Sequence, residues 1–193
     1  MSSNQPQRAA VSRRYTTVKL ATAAIMTAIS CVLILIITIP FPLMPAFKYD
    51  FADIPIFIMT FAYGPVTGLL MTGICAMLQA FVLGQDSWMG FAMHFFSTGG
   101  FVIVAGLIYK HMKTKKGAVI ALICGTLTMT VLMCILNYTL DPIFYGMTKE
   151  AVAKLMLPAV IPFNLSKAGI NSLITFLIYK RISNLIHRRE QAA

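Results

Sequence analysis

Acidic residues are scarce in this chain: six Asp and Glu stand against sixteen Lys and Arg in 193 residues, for a net charge of +10. Charge of either sign is thin at 11%, while 58% of residues are hydrophobic and mean hydropathy is +0.78, which excludes a soluble domain of this length. No GxxxxGK(S/T) phosphate loop occurs, so nothing points to ATP hydrolysis by the chain itself. HExxH, GxSxG and a plausible Ser/His/acid set are also missing, and with them the case for an enzyme. There is no pair of acids deep in apolar segments of the kind proton-coupled carriers use. Cys31, Cys75, Cys124 and Cys134 all fall inside apolar runs, where free cysteine acts as a small hydrophobe, and their spacing suggests neither a disulfide framework nor a metal site. Internal repeats and low-complexity segments are absent. A binding protein without its own engine fits these absences.

What the chain has instead is long runs free of charge, at about 20–46, 54–85, 87–109 and 117–140, with a fifth at 155–179 interrupted only by Lys167. Each reaches the roughly 20 residues needed to cross a bilayer as helix, and uninterrupted apolarity argues against a barrel. The expected fold class is therefore an all-α integral membrane protein. Basic residues cluster beside the runs rather than in a nucleic-acid-binding face: Arg8, Arg13, Arg14 and Lys19 before the first, Lys110, Lys113, Lys115 and Lys116 after the third, and Lys180, Arg181, Arg188 and Arg189 at the end. If all three clusters are cytoplasmic, an even number of crossings must separate them. The 54–85 run breaks that parity as one span, and at about 48 Å of helical rise it is too long for one. "YGPVTG" divides it at Gly64 and Pro65, since proline cannot continue a helical ladder. The expectation is six transmembrane helices with both termini cytoplasmic: a mobile tail over 1–14, one membrane domain over 15–187 and a tail over 188–193. The second helix, over 54–63, is short for a crossing and must start in the loop, tilt, or be shielded by protein. The first run shows no cleavage pattern and reads as an uncleaved span.

Five of the six acids fall on the outer side or its boundary, so that face is the chemically specific one. In "FPLMPAFKYDFADIP", prolines restrict the backbone while Lys48, Asp50 and Asp53 offer donors and acceptors. Asp53 is expected to cap the second helix, with Pro55 in its first turn. Capping leaves the aromatic interleaving of Phe47, Tyr49 and Phe51 unexplained; that pattern suits a lid over a flat, mostly apolar ligand with a polar end. In "IPFNLSKAGIN", Asn164, Lys167 and Asn171 share one helical face. A lysine at membrane depth costs about 2.5–3.5 kcal/mol on insertion scales, so it faces a partner or a wet cavity unless it snorkels to the interface. Asn137 and Asp141 at the outer end of helix five, and Gln79 near that of helix three, are weaker candidates that interfacial water could equally satisfy. His94 reads more as a packing histidine than a ligand contact, and the methionines more as core filler than a cofactor box. Ala24 and Ala28, in "KLATAAIMTAIS", repeat small side chains at four-residue spacing, which lets another helix approach closely, within this chain or from another protein.

Taken together, the alanine-rich first helix, the loop running into "KYDFADIP", the "FAYGPVTGLL" break and "PFNLSKAGINSLITFLIYKRIS" resemble the substrate-binding (S) component of an energy-coupling factor (ECF) transporter, and most of all its riboflavin-specific member. The resemblance covers nearly the whole chain after the tail; "YDFADIP" and "PFNLSK" are its specific pieces. It implies a multi-pass protein of the bacterial cell membrane that binds riboflavin from outside, then works with a transmembrane coupling (T) protein and two cytoplasmic ATPase subunits. It implies no cofactor, riboflavin being the transported ligand. It further implies that Met44, Ala46, Phe47, Lys48 and Asp53 line or close the pocket, with Gln79 near it, that Asn137 and Asn164 hydrogen-bond the ligand, and that Lys167 holds its polar part. Ala24 and Ala28 match the family's small-residue motif facing the coupling protein. The residues suit an isoalloxazine ring in their own right: flat apolar faces with a few amide donors, and Asn, Asp and Lys for ribityl hydroxyls.

Competing readings are an S component for FMN, thiamine or another vitamin, a membrane enzyme using His94 and Asp86, and a purely structural subunit. A cationic thiamine ring would call for an aromatic cage, yet Trp88 is the only tryptophan. The His94 and Asp86 pair has no supporting motif, and a structural subunit would leave Lys167 and the aromatic lid without a purpose.

Overall fold

The computed structural model describes residues 5–42, 44–82 and 87–191. It is a bundle of helices: α1 (Gln5–Ile36), α2 (Asp53–Tyr63), α3 (Pro65–Met77), α4 (Ser87–His111), α5 (Lys115–Tyr145), α6 (Lys149–Leu155) and α7 (Ile161–Gln191). Two π-helical turns, Leu78–Val82 after α3 and Met156–Val160 between α6 and α7, extend the helices they join. Among the described residues, five helical segments are long and apolar enough to cross a membrane: Thr16–Ile36, Pro65–Val82, Trp88–His111, Lys115–Tyr145 and Lys149–Tyr179. α1 is helical from Gln5, so most of the polar stretch ahead of the first apolar run belongs to that helix.

The loop after α1 departs from the all-helical expectation. Residues Ile39–Phe41 (β1) and Met44–Tyr49 (β2) form a small antiparallel hairpin, pairing Ile39 with Tyr49 and Pro40 with Lys48. Proline has no N–H to donate and is tolerated in such edge strands, while the β-formers Ile39, Phe41, Phe47 and Tyr49 favour extension. A strip of two strands lying across a helix bundle does not change the class of the fold.

The division at "YGPVTG" is where the sequence puts it. Gly64 takes φ 90°, ψ 170°, a backbone that favours glycine, ends α2 with its N–H on the Thr60 carbonyl, and hands over to Pro65 at the first position of α3. At eleven residues α2 rises only about 16 Å, half of a bilayer core. It survives there because nine of the eleven residues, from Asp53 to Phe61, are buried among α1, α3, α4 and α7. Shielding by protein is therefore how the short helix is accommodated.

Lipid supplies no hydrophobic drive between helices, so close packing and satisfied polar groups must hold them. Phe57 of α2 stacks on Phe101 of α4 with centroids 3.7 Å apart and planes 8° from parallel, and Phe101 lies against Gly125 of α5, where a Cβ would come within 2.9 Å of the ring. Threonine hydroxyls turn back on their own helices: Thr27, Thr60, Thr72 and Thr130 each donate to the carbonyl four residues earlier at 2.8–2.9 Å. Ile123, Leu127, Val131 and Ile135 of α5, four residues apart, stay exposed, as a lipid-facing stripe requires.

Candidate functional site

At the end of the bundle away from the basic α4–α5 turn lies a cavity of about 720 Å³, within the range of small-molecule sites. The hairpin forms one wall through Met44, Phe47 and Lys48, and the π-turn after α3 contributes Gln79. α4 supplies Met89, Met93, His94 and Ser97; α5 supplies Met129, Met133, Asn137 and Asp141; α7 supplies Phe163, Asn164 and Lys167. Methionine is flexible and polarizable, so a wall built of it fits the face of a flat ring. Of the two π-turns, the one after α3 brings Gln79 to the cavity wall, an arrangement recurrent at functional sites, whereas no residue of the second, Met156–Val160, lines the cavity. Pro158 lies within the second, where its missing N–H removes a bond the regular ladder would use.

The hairpin and the following Asp50 are fastened to α7. The Lys167 ammonium donates to Asp50 Oδ2 at 2.7 Å, the Asn171 amide donates to the Asp50 carbonyl at 3.2 Å, and the Ala52 N–H donates to Asp50 Oδ1 at 3.1 Å. The hydroxyls of Tyr49 and Ser166 lie 2.5 Å apart. The Ser166 hydroxyl also reaches the Pro162 and Phe163 carbonyls of its own helix, at 2.7 and 2.9 Å. Above these bonds, Phe41, Phe47 and Tyr49 gather around Phe163, with centroids 5.5, 4.9 and 5.1 Å from its ring. Burial pushes the Asp50 carboxyl up, but the charge and hydrogen bond of Lys167, with smaller contributions from His94 and the Ala52 N–H, hold it below its ordinary value of 3.8.

Beneath the cavity, Asp53 is fully buried and accepts from the Thr98 hydroxyl at 3.2 Å, with His94 Nε2 at 3.8 Å from the same oxygen. Asp53 was expected to cap α2, but Ala52 occupies that position and the Asp53 side chain turns inward to α4. Nor does Asp53 line the cavity; it stands behind His94. Three buried atoms here have no hydrogen-bond partner among the described residues: Gln79 Nε2, His94 Nε2 and the second oxygen of Asp53. Gln79 and His94 both line the cavity, with His94 Nε2 turned back toward the Asp53 carboxylate rather than into the cavity. Asn137 and Asn164 each donate to the carbonyl four residues back, at 2.7 and 2.8 Å, which fixes their amides.

Of the residues singled out from sequence, Met44, Phe47, Lys48, Gln79, Asn137, Asn164 and Lys167 come together around the cavity. Ala46 lies on β2, but its side chain is outside the described residues, as is Asp86 altogether. Ala24 and Ala28 are exposed on α1, away from the cavity. Sequence reasoning underrated His94 and did not identify Asp50 as the partner of Lys167. The signal for Asp50 was present: a lysine in a span needs a counter-charge, and the acids lie mostly in the outer loops.

A family model described as "ECF transporter, substrate-specific component" matches residues 18–179. A riboflavin transporter of Bacillus subtilis is 28% identical over 184 residues, covering 90% of this chain and 96% of that protein. Riboflavin transporters of Staphylococcus aureus and Streptococcus thermophilus are 29% and 30% identical, covering 88% and 87% of this chain and 93% and 84% of theirs. Among solved structures, the S component of a bacterial ECF transporter superposes with a TM-score of 0.74 at 32% identity, over 87% of this chain and 96% of that one.

Proposed function

Because the chain belongs to the family of substrate-specific components of ECF transporters, we propose that it is the riboflavin-binding subunit of a vitamin uptake system in the bacterial plasma membrane. Its curated relatives are riboflavin transporters along nearly their whole length. The observation that carries the reading is the cavity under the hairpin: methionine and aromatic faces for a flat ring, with amides at Asn137 and Asn164. Met44, Phe47, Lys48 and Gln79 close on the ligand, Asn137, Asn164 and Lys167 hydrogen-bond it, and Asp53 acts through His94. Ala46 belongs to the closing strand.

The hairpin acts as a strap. Its ties to α7 hold it over the cavity, and Lys167 keeps two further N–H donors beyond the one given to Asp50. In the bilayer α2 counts as the sixth span, with both termini and the Lys110–Lys116 turn cytoplasmic by the charge rule; the cavity then opens outward. Residues 15–187 make one membrane domain between two short cytoplasmic tails. The chain is not an enzyme and needs no cofactor; energy comes from two ATPase subunits acting through a transmembrane coupling protein, which meets α1 at Ala24 and Ala28. Trp88, the single tryptophan, is exposed beside Phe81 and away from the cavity, which weighs against a cage for cationic thiamine.

The test is the absorption spectrum of the detergent-purified chain before and after denaturation, with chromatographic identification of what is released. A flavin near one per chain supports the proposal. A colourless protein that also fails to quench added riboflavin fluorescence rejects it.

A further inference from the structure

We propose that Asp141 makes this cavity select a flavin with a free, uncharged ribityl chain over its 5′-phosphate. The inference rests on the flavin reading above and adds which form of the flavin is accepted.

Among the described residues, two lysines and two aspartates line the cavity: Lys48, Lys167, Asp50 and Asp141. The Lys167 charge is matched by Asp50 at 2.7 Å, with the two side chains only 12% and 14% exposed. Lys48 stands exposed on the hairpin, where water screens it. Asp141 is different. It lies one turn beyond Asn137 on α5, is 9% exposed, and among the described residues no basic side chain pairs with it. Asp53, fully buried behind His94, adds a further carboxylate to the same region.

A phosphate monoester has a charge of about −1.5 to −2 near neutral pH and is rich in acceptors. Here it would meet an unpaired carboxylate and a lysine already neutralised. The first turn of α4 borders the cavity at Met89 and Gly90, but a helix N-terminus offers only about half a positive charge. A ribityl chain is the opposite kind of group: its hydroxyls donate, and the Asp141 carboxylate and the Asn137 amide oxygen accept. Asp141 is therefore a specificity-determining residue that recognises hydroxyl donors and repels an anion.

The experiment measures dissociation constants for riboflavin and for flavin mononucleotide by fluorescence quenching, on the full chain in detergent after removal of bound flavin. Wild type is expected to bind riboflavin at least tenfold more tightly than the phosphate. Asp141→Asn should shrink that ratio at least threefold, and Asp141→Ser serves the same purpose if the Asn variant does not remain monodisperse. Equal affinities in wild type, or a ratio unchanged in the variants, overturns the role of Asp141 while leaving the flavin reading intact. Binding of neither flavin overturns both.

Discussion

Lys167 is tolerated within a membrane-spanning segment because Asp50 reaches it from the strap, and Asp50 can be held there because three donors surround it. The pair is thus a joint between two elements, and removing either half leaves the other charge buried without a partner. Lys167→Ala should weaken riboflavin binding tenfold or more, in line with about 1.5–3 kcal/mol for a charged hydrogen bond. Asp50→Asn should weaken it through the strap, and because both changes break one contact, the double variant should lose less than the sum of the two losses; additive losses in quenching titrations would mean the residues act separately. The pH dependence follows from the lowered Asp50 carboxyl. A depressed acid contributes stability that is present above its ordinary value of 3.8 and disappears as pH falls through its lower folded value. The melting-temperature gap between wild type and Asp50→Asn should therefore stay level from pH 8 to about 5 and close only below 3.8. A gap that closes between pH 7 and 5 would assign the effect to another group. Asn164, Lys167 and the strap residues were legible in the sequence because polar side chains are costly in a span and stand out there. Asp53 was misjudged since its position before an apolar helix looks like a cap, whereas its Thr98 partner is 45 positions away and no local pattern announces it.

At the scale of elements, the unusual piece is α2, too short to span and packed by protein on nearly all sides. Its lower corner depends on a close approach between α4 and the α2–α3 turn. A Cβ on Gly106 would lie 2.8 Å from Pro65 Cβ and 3.1 Å from Pro65 Cα, and 2.9 Å from a Thr60 methyl. Proline cannot step aside as a flexible side chain would, so the helix itself must move. Gly106→Leu should destabilise by about 1–3 kcal/mol, as overpacking usually does, read as a lower midpoint in thermal unfolding of the detergent-solubilised chain; an unchanged midpoint would mean this corner is loosely held. The break at Gly64 and Pro65 was legible because both residues dictate backbone geometry by themselves. The hairpin at 39–49 was not, since three prolines in an outer loop suggest an irregular connector and the strands exist through pairing with each other and stacking on Phe163. The π-turns were equally hidden: each changes the register of a helix by one residue, which leaves no trace in hydropathy.

For the whole molecule, the cavity and the exposed alanine face of α1 lie on different surfaces, so that one can be altered without the other. The cavity is built from the hairpin, the π-turn after α3, and parts of α4, α5 and α7; among the described residues, none of α1 lines it. α1 is instead the least buried of the five long spans, and Ala24 and Ala28 are exposed on its surface. Two alanines four residues apart let a partner helix approach to backbone distance, and a bulky side chain there would hold it off by several ångströms. In membrane vesicles containing the complete transporter, Ala24→Trp with Ala28→Trp should reduce riboflavin uptake to below about a tenth of wild type, while the purified variant keeps its riboflavin affinity within about threefold, a difference of less than 1 kcal/mol. The two readouts discriminate sharply. If uptake and binding both survive, α1 is not the coupling surface; if both are lost, the substitutions have disturbed the fold; only loss of uptake with binding retained identifies α1 as the face through which the coupling protein drives transport.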